Sequence, residues 1–281
     1  MNEAKSWSRR RVMTTGAAVA ASAATVGLSA APASASEAAP GVRPGPAPTV
    51  VLVHGAFADA SSWQPVVERL QKDGLTVRAV ANPLRGLATD AAHVRAFLAS
   101  IPGPVVLVGH SYGGAVITEA AVGAANVKGL VYIAAFVPDA GEVLGELIAK
   151  FPGSELQPHL TPVPVLAPDG STTVDLYLDP AAFRSVFAGD VPARTTRVLA
   201  ATQRPISAAA FADRPTAAAW HDIPSWNLVA TRDRGIPPRL QRFQADRARS
   251  YTVDVPCSHL AMYGRPGDVT RLVQRAVRGV G

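Results

Sequence analysis

The sequence holds a single cysteine, Cys257, so no disulfide can close within the chain and no CxxC pair exists to hold zinc. Its six histidines are scattered and none belongs to an HExxH pattern, which leaves no metal-ligand spacing to build on. Neither a metal nor another cofactor is expected. No apolar run downstream of residue 35 is long enough to span a bilayer, so no membrane span is expected in the mature chain. Charge is sparse as well, at 17% of residues with a formal net charge of +6. Residues 1–35 carry Lys5, Arg9, Arg10 and Arg11 against Glu3, a net +3, which leaves only +3 on the remainder. With no basic stripe interleaved with aromatics, nucleic acid is excluded as a partner.

What the chain does have is apolar residues, 48% of 281, enough for one sizeable core. The first 35 residues read as a twin-arginine signal peptide: "SRRRVM" (8–13), an Ala-rich stretch to about 31, and "ASA" (33–35) as a small-residue cleavage site. Secretion by twin-arginine export is therefore expected. Residues 36–48, rich in Pro and Gly, read as a flexible leader to a domain over 49–281.

From residue 49, apolar runs alternate with helical patterns. "TVVLV" (49–53), "LTVRAV" (75–80), "PVVLVG" (104–109), "VKGLVYIAAF" (127–136), "SWNLVAT" (225–231) and "SYTVDV" (250–255) predict strands. Helices are predicted over 58–74, 88–103, about 113–125, 237–249 and from about Asp268. Six such runs separated by helices imply an α/β fold, a mainly parallel sheet of about six strands with helices on both faces. The stretch from about 140 to 222 interrupts the alternation. It contains a hairpin pattern around Pro168-Asp169-Gly170, with Val174, Leu176 and Leu178 alternating against Asp175 and Tyr177, and then Ala-rich helices. It reads as an inserted cap over the carboxyl ends of the strands, where open α/β sheets bind ligands.

"VVLVGHSYGGAV" (105–116) lies at the end of the third run. It matches neither GxGxxG nor GxxxxGK[ST], and no lysine or ribose-binding acid stands where a nucleotide site needs one. It does match G-x-S-x-G, with Gly109, Ser111 and Gly113 between a strand and a helix. In that motif a serine occupies a strained turn as a nucleophile, and the next N–H, here of Tyr112, donates to a developing oxyanion. A serine hydroxyl needs a base, and the base an orienting acid, in the chain order Ser, acid, His. His259, after the last core strand, is the candidate base. His110 adjoins the nucleophile, but its side chain is expected to point away from the turn. Asp233, just past a strand end, is the candidate acid, with Asp139 its main rival and Asp254 weaker. The second oxyanion donor is placed at Ala56, with Phe57 next, and His54 is expected to brace that loop.

These residues, with "VLVHGAF", "VYIAAFVPDAGE", "ATQRP" and "CSHLAM", resemble the α/β-hydrolase superfamily over roughly 49–280. The resemblance is narrower to the capped branch of EstC-type esterases, plant methyl esterases and hydroxynitrile lyases. It implies an α/β-hydrolase fold with Ser111 as nucleophile, His259 as base, Asp233 as its orienter, and the Ala56 and Tyr112 N–H groups as oxyanion hole. Lyases of this branch carry threonine and lysine where this chain has Gly55 and Leu260, so the esterase reading is favoured. The expected activity is hydrolysis of small hydrophobic esters through an acyl-enzyme, the substrate guess resting on Phe151, Leu156, Phe183 and Phe187 in the cap. Hydroxynitrile lyase chemistry, cofactor-free perhydrolysis or oxygenation, and non-catalytic ligand binding are the alternatives. The sequence carries no sign of oligomeric state.

Overall fold

A computed structural model describes residues 47–166 and 170–281. The segments expected as signal peptide (1–35) and flexible leader (36–48, all but its last two residues), and Pro168-Asp169 of the expected hairpin, lie outside the described residues. The main sheet contains β1 (Thr49–Val53), β2 (Val77–Val80), β3 (Val105–His110), β4 (Val127–Ile133), β8 (Ser225–Ala230) and β9 (Tyr251–Val255). Their order is β2-β1-β3-β4-β8-β9 and every pairing is parallel. The six apolar runs all become these strands. Those of β3 and β8 are buried at every position, which is why they read as continuous apolar segments rather than alternating ones.

Helices α1 (Gln64–Lys72), α2 (Leu87–Ala99) and α3 (Tyr112–Ala120) lie between the first strands, and α7 (Pro238–Arg247), α8 (Ala261–Gly264) and α9 (Pro266–Val280) follow β8 and β9. α1 packs on α9 and α2 on α3; α9 covers β3, β4 and β8, and α3 covers β1, β3 and β4. The run expected as one helix over 58–74 is divided, a 3₁₀ turn at Ala60–Trp63 preceding α1. Pro65 explains the restart, since proline fits the first turn of a helix and lacks only a hydrogen bond the helix does not make there. Among the described residues no helix is long and apolar enough to cross a membrane.

Between β4 and β8 the chain forms α4 (Leu144–Lys150), β5 (Leu160–Leu166), β6 (Thr172–Leu178), α5 (Pro180–Phe187), α6 (Ala193–Ala201) and β7 (Ile206–Ser207). β5, β6 and β7 make a separate antiparallel sheet. The hairpin alternation fails at one residue: Asp175 is buried, because Arg85 from the loop after β2 reaches it at 2.6 Å. That same guanidinium donates to the Pro205 carbonyl at 3.2 Å, so one arginine ties the core to two points of the inserted segment, in β6 and just before β7.

The glycines after Ser111 serve close packing. A Cβ at Gly113 would stand 2.6 Å from the Val53 carbonyl oxygen, and one at Gly114 would overlap the Phe136 carbonyl oxygen. Both obstacles are backbone at strand ends, which cannot swing aside. Gly114→Ala is therefore expected to cost about 3 kcal/mol, toward the upper end for overpacking. Urea unfolding would check this, and an unchanged midpoint would contradict the packing argument.

Candidate active site

Ser111 joins β3 to α3 in a backbone conformation that L-residues rarely adopt, φ 55° and ψ −125°. Such a residue costs about 1–3 kcal/mol and persists only when its surroundings hold it. Here they do. The Ser111 N–H donates to the Ile133 carbonyl at 3.3 Å, and its carbonyl accepts from Gly114 at 3.0 Å and Phe136 at 3.1 Å. The bend lies in the serine itself, and Gly109 and Gly113 are small so that β1, β3 and α3 can approach it closely. Tyr112 is anchored below by its hydroxyl, which donates to the buried Asp90 at 2.8 Å.

Asp233 and His259 meet at 2.7 Å through Oδ2 and Nδ1, both side chains fully buried. A carboxylate can only accept, so Nδ1 carries the proton and Nε2 is left as the acceptor. Nε2 makes no hydrogen bond among the described residues. Asp233 also accepts at Oδ1 from the N–H groups of Gly235 (2.7 Å) and Ile236 (3.0 Å), and at Oδ2 from Gln241 Nε2 (2.7 Å). Asp139 is elsewhere, 2.9 Å from His221 Nε2, and Asp254 pairs with Arg242 on the surface. Neither carboxylate meets His259. Accordingly Asp139→Asn is expected to leave kcat within about twofold of the parent, as surface changes away from a site do. A large loss in an esterase assay would reopen the assignment of the acid.

His110 does not point away from the turn. Its ring lies 4.8 Å from that of His259, and its Nε2 donates to the His259 carbonyl at 3.0 Å. Burial first, and then the neighbouring His259, hold it well below the usual histidine range, so it braces His259 as a neutral ring. On the other side the ring of Phe187, from the inserted segment, stands 4.6 Å from His259. Leu260 N–H donates to the Phe187 carbonyl at 3.1 Å, and the Ser258 hydroxyl bonds to Asp190. The segment carrying His259 is thus clamped from α5 as well as from the core. Cys257 is buried, and its thiol is pushed up to about 12, chiefly by burial and then by Asp190 and Asp233, so it is inert.

The loop after β1 lies across from the serine. Among the described residues, the N–H groups of Ala56 and Tyr112 are given to no other protein group, whereas that of Phe57 donates to the Arg204 carbonyl at 3.0 Å. This separates the two candidates for the second oxyanion donor: Ala56 is free to donate and Phe57 is engaged. His54 takes the Asn82 N–H on Nε2 at 3.0 Å and gives its Nδ1–H to the Gly55 carbonyl at 2.9 Å, so it fixes the loop. A Cβ at Gly55 would stand 2.6 Å from the Ser111 Cβ and 3.1 Å from its Oγ. Gly55→Ala must therefore displace the hydroxyl, and a loss in kcat of about 100-fold is expected, as for a misplacement of about 1 Å.

Burial lowers the His54 imidazole from 6.5 to about 4. In that window the unfolded chain binds a proton that the folded chain refuses, so stability is full above 6.5 and is lost as the pH falls toward 4. The loss is about 3 kcal/mol for this group, with His110 acting in the same direction. Asp90 opposes them, since burial raises its carboxyl above 3.8. Melting temperature measured between pH 7.5 and 4.5 should fall steadily; a flat profile would contradict the neutral, buried state of both imidazoles.

A cleft of about 580 Å³ lies behind this arrangement, lined by Arg184, Asp190, Arg232, Arg234 and Ser258 among others, and it does not reach Ser111. Ser111 itself is only 6% exposed. No group of three or more metal-ligating side chains occurs among the described residues. Gln241, Asp190 and Phe187 had no motif to mark them in the sequence.

Comparison with known proteins gives a match to the Alpha/beta hydrolase family over residues 50–272. A carbendazim hydrolyzing esterase from Nocardioides sp. (strain SG-4G) is 36% identical over 113 residues, 36% of this chain and 47% of that protein. The alignment thus spans about half the length of that relative. The alpha/beta hydrolase nvfD from Aspergillus novofumigatus (strain IBT 16806) is 27% identical over 255 residues, 82% of this chain and 96% of that one. The crystal structure of polyneuridine aldehyde esterase superposes with a TM-score of 0.71 at 20% identity, covering 82% of this chain and 98% of that one. At that identity the likeness is one of fold.

Proposed function

Because this chain belongs to the Alpha/beta hydrolase family, we propose that it is a serine hydrolase cleaving carboxylic esters through an acyl-enzyme. The observation that carries this reading is the buried 2.7 Å contact of Asp233 with His259 Nδ1, which leaves Nε2 as an acceptor with no hydrogen-bond partner among the described residues, while Ser111 sits in the strained turn between β3 and α3. In the reading, Ser111 Oγ attacks the ester carbonyl carbon while His259 Nε2 takes its proton. The Ala56 and Tyr112 N–H groups receive the charge that develops on the carbonyl oxygen. Asp233 steadies the imidazolium, which then protonates the departing alcohol, and the acyl group stays on Ser111. Water, deprotonated by the same Nε2, attacks the acyl carbon and releases the acid. Esterase and hydrolase are also words in the names of the two relatives whose sequences align with the chain.

The apolar residues of the inserted segment, Phe187 against His259 and Phe183 against Phe187, favour small hydrophobic esters as the substrate class. The crowding at Gly55 tells against a threonine there, and with it against the lyase alternative. The test is a series of p-nitrophenyl esters of increasing acyl length, followed from the first turnover. A burst of nitrophenol equal to the enzyme concentration is expected for the short acyl chains. Inactivity on every ester, with cyanohydrin cleavage present, would sink the proposal.

The twin-arginine segment motivates a secreted product. Expressed from Met1 in a host with that export route, the protein is expected outside the cytoplasm with Ser36 as its first residue. Retention of Met1 on an exported protein would contradict the cleavage site.

A further inference from the structure

α7 carries two fully buried glutamines, Gln241 and Gln244, on the face it packs against the sheet. A buried amide is costly unless its donors and acceptor are used, and each of these is used at a strand end. Gln244 Oε1 accepts from the Val137 N–H at 2.8 Å, just past β4. Gln241 does more. Its Oε1 accepts from the Ala230 N–H at 2.9 Å, at the end of β8. Its Nε2 donates both to the Ile236 carbonyl at 2.8 Å and to Asp233 Oδ2 at 2.7 Å. Oδ2 is also the oxygen that receives the His259 Nδ1 proton.

We propose that Gln241 is a positioning residue for the proposed reaction, acting through Asp233 to hold the acid's Oδ2 in line with His259 Nδ1. The inference rests on the serine-hydrolase reading and extends it by one residue. Two other amide hydrogen bonds, from the Ala230 N–H and to the Ile236 carbonyl, lock the side chain, so its third, to Asp233, has no slack. The geometry gives the carboxylate two backbone donors on Oδ1 and two side-chain donors on Oδ2. Only one of the four, Gln241, is a neutral side chain free of any other role in the chemistry. An amide also shares the charge on Oδ2 without adding any of its own. Remove that donor and the charge concentrates on the oxygen facing Nδ1, which favours the protonated imidazole. The acidic limb of kcat/KM should then move to higher pH.

The other groups around the pair leave this direction unaltered. His110, packed on His259, is held neutral by burial. Cys257 is a thiol pushed up to about 12, and Asp190 is engaged with Ser258. Arg232 and Arg234, flanking Asp233, are exposed in the cleft behind it.

The test compares Gln241→Met, which keeps the length and loses the donors, with Gln241→Glu, which keeps the acceptor for Ala230 and adds a charge beside Asp233. For both, kcat on p-nitrophenyl acetate is expected to fall about 10- to 100-fold, the range of a hydrogen bond to a charged group, with KM within about threefold. The acidic limb should shift upward by about half a pH unit or more, by the charge argument above. In an Asp233→Asn background, Gln241→Met should cost almost nothing further, because its effect passes through the missing carboxylate. A lower melting temperature with kcat and the acidic limb unmoved would make Gln241 merely structural and overturn the proposal. If Gln241→Met fails to fold, Gln241→Glu carries the same comparisons. The downfield proton resonance of His259 Nδ1–H supplies a readout that needs no substrate: it should move in either variant, and an unmoved resonance overturns the proposal even if no ester is cleaved. Loss of esterase activity in the parent protein, by contrast, would strike the functional reading alone.

Discussion

Ser111→Ala is expected to lower kcat on p-nitrophenyl esters by roughly six orders of magnitude, the scale seen when a triad nucleophile is removed. Alanine keeps the Cβ, so the packing of the turn is untouched: the hydrogen bonds that hold residue 111 are all backbone bonds to Ile133, Gly114 and Phe136. The strained φ of 55° is as costly for alanine as for serine, so melting temperature should hardly change. The pairing of a near-total loss of turnover with an unchanged fold is what distinguishes a nucleophile from a structural serine. What remains should be the small enhancement that the Ala56 and Tyr112 N–H groups provide to attack by water. A variant with parental turnover would remove Ser111 from the chemistry altogether.

Asp233→Asn is expected to cost about four orders of magnitude in kcat, with KM little changed. The asparagine fills the same volume and can still accept from Gly235 and Ile236 on its oxygen. Its NH2 would then face His259 Nδ1 and Gln241 Nε2, both donors in the parent arrangement. To avoid two facing donors the imidazole must carry its proton on Nε2, the nitrogen that has to accept from Ser111. The base is thereby in the wrong tautomer, and the clash with Gln241 adds to the disorder. A drop of only a few-fold would mean that the buried contact at 2.7 Å is a packing device. Because Asp139 is spoken for by His221 and lies away from His259, no rescue from that carboxylate is expected.

The sheet was legible in the sequence because buried parallel strands are written as continuous apolar runs, as β1 and β3 are, while the edge strands β2 and β9 are partly exposed and carry Arg78 and Asp254 among their apolar residues. Ser111 was legible because a strained turn between a strand and a helix leaves its glycines in a fixed pattern. His259 and Asp233 could be nominated because strand ends in this architecture converge on one edge, and the structure brings those two side chains together. Other features left no such trace. Gln241 sits in "RLQRF" like any polar residue of an amphipathic helix, and only the path of the acid loop shows that its face is inward. The orientation of His110 depends on a carbonyl 149 residues away. Burial of Asp175 follows from Arg85, on a different part of the fold. Phe187 reads as an apolar helix residue, and its place over the His259 ring is a matter of how the inserted segment folds back. Long-range pairings of single side chains carry no period and no motif, so they emerge only in three dimensions.

The central claim, that Ser111 is a nucleophile activated by His259 and Asp233, meets its most direct test in a fluorophosphonate probe followed by intact mass and peptide mapping. The folded protein is expected to gain one phosphonyl adduct, on Ser111, and to lose esterase activity in proportion. Both the Ser111→Ala variant and the unfolded chain should take up none. Absence of an adduct on Ser111 in the folded protein, or an adduct on another serine, would contradict the account.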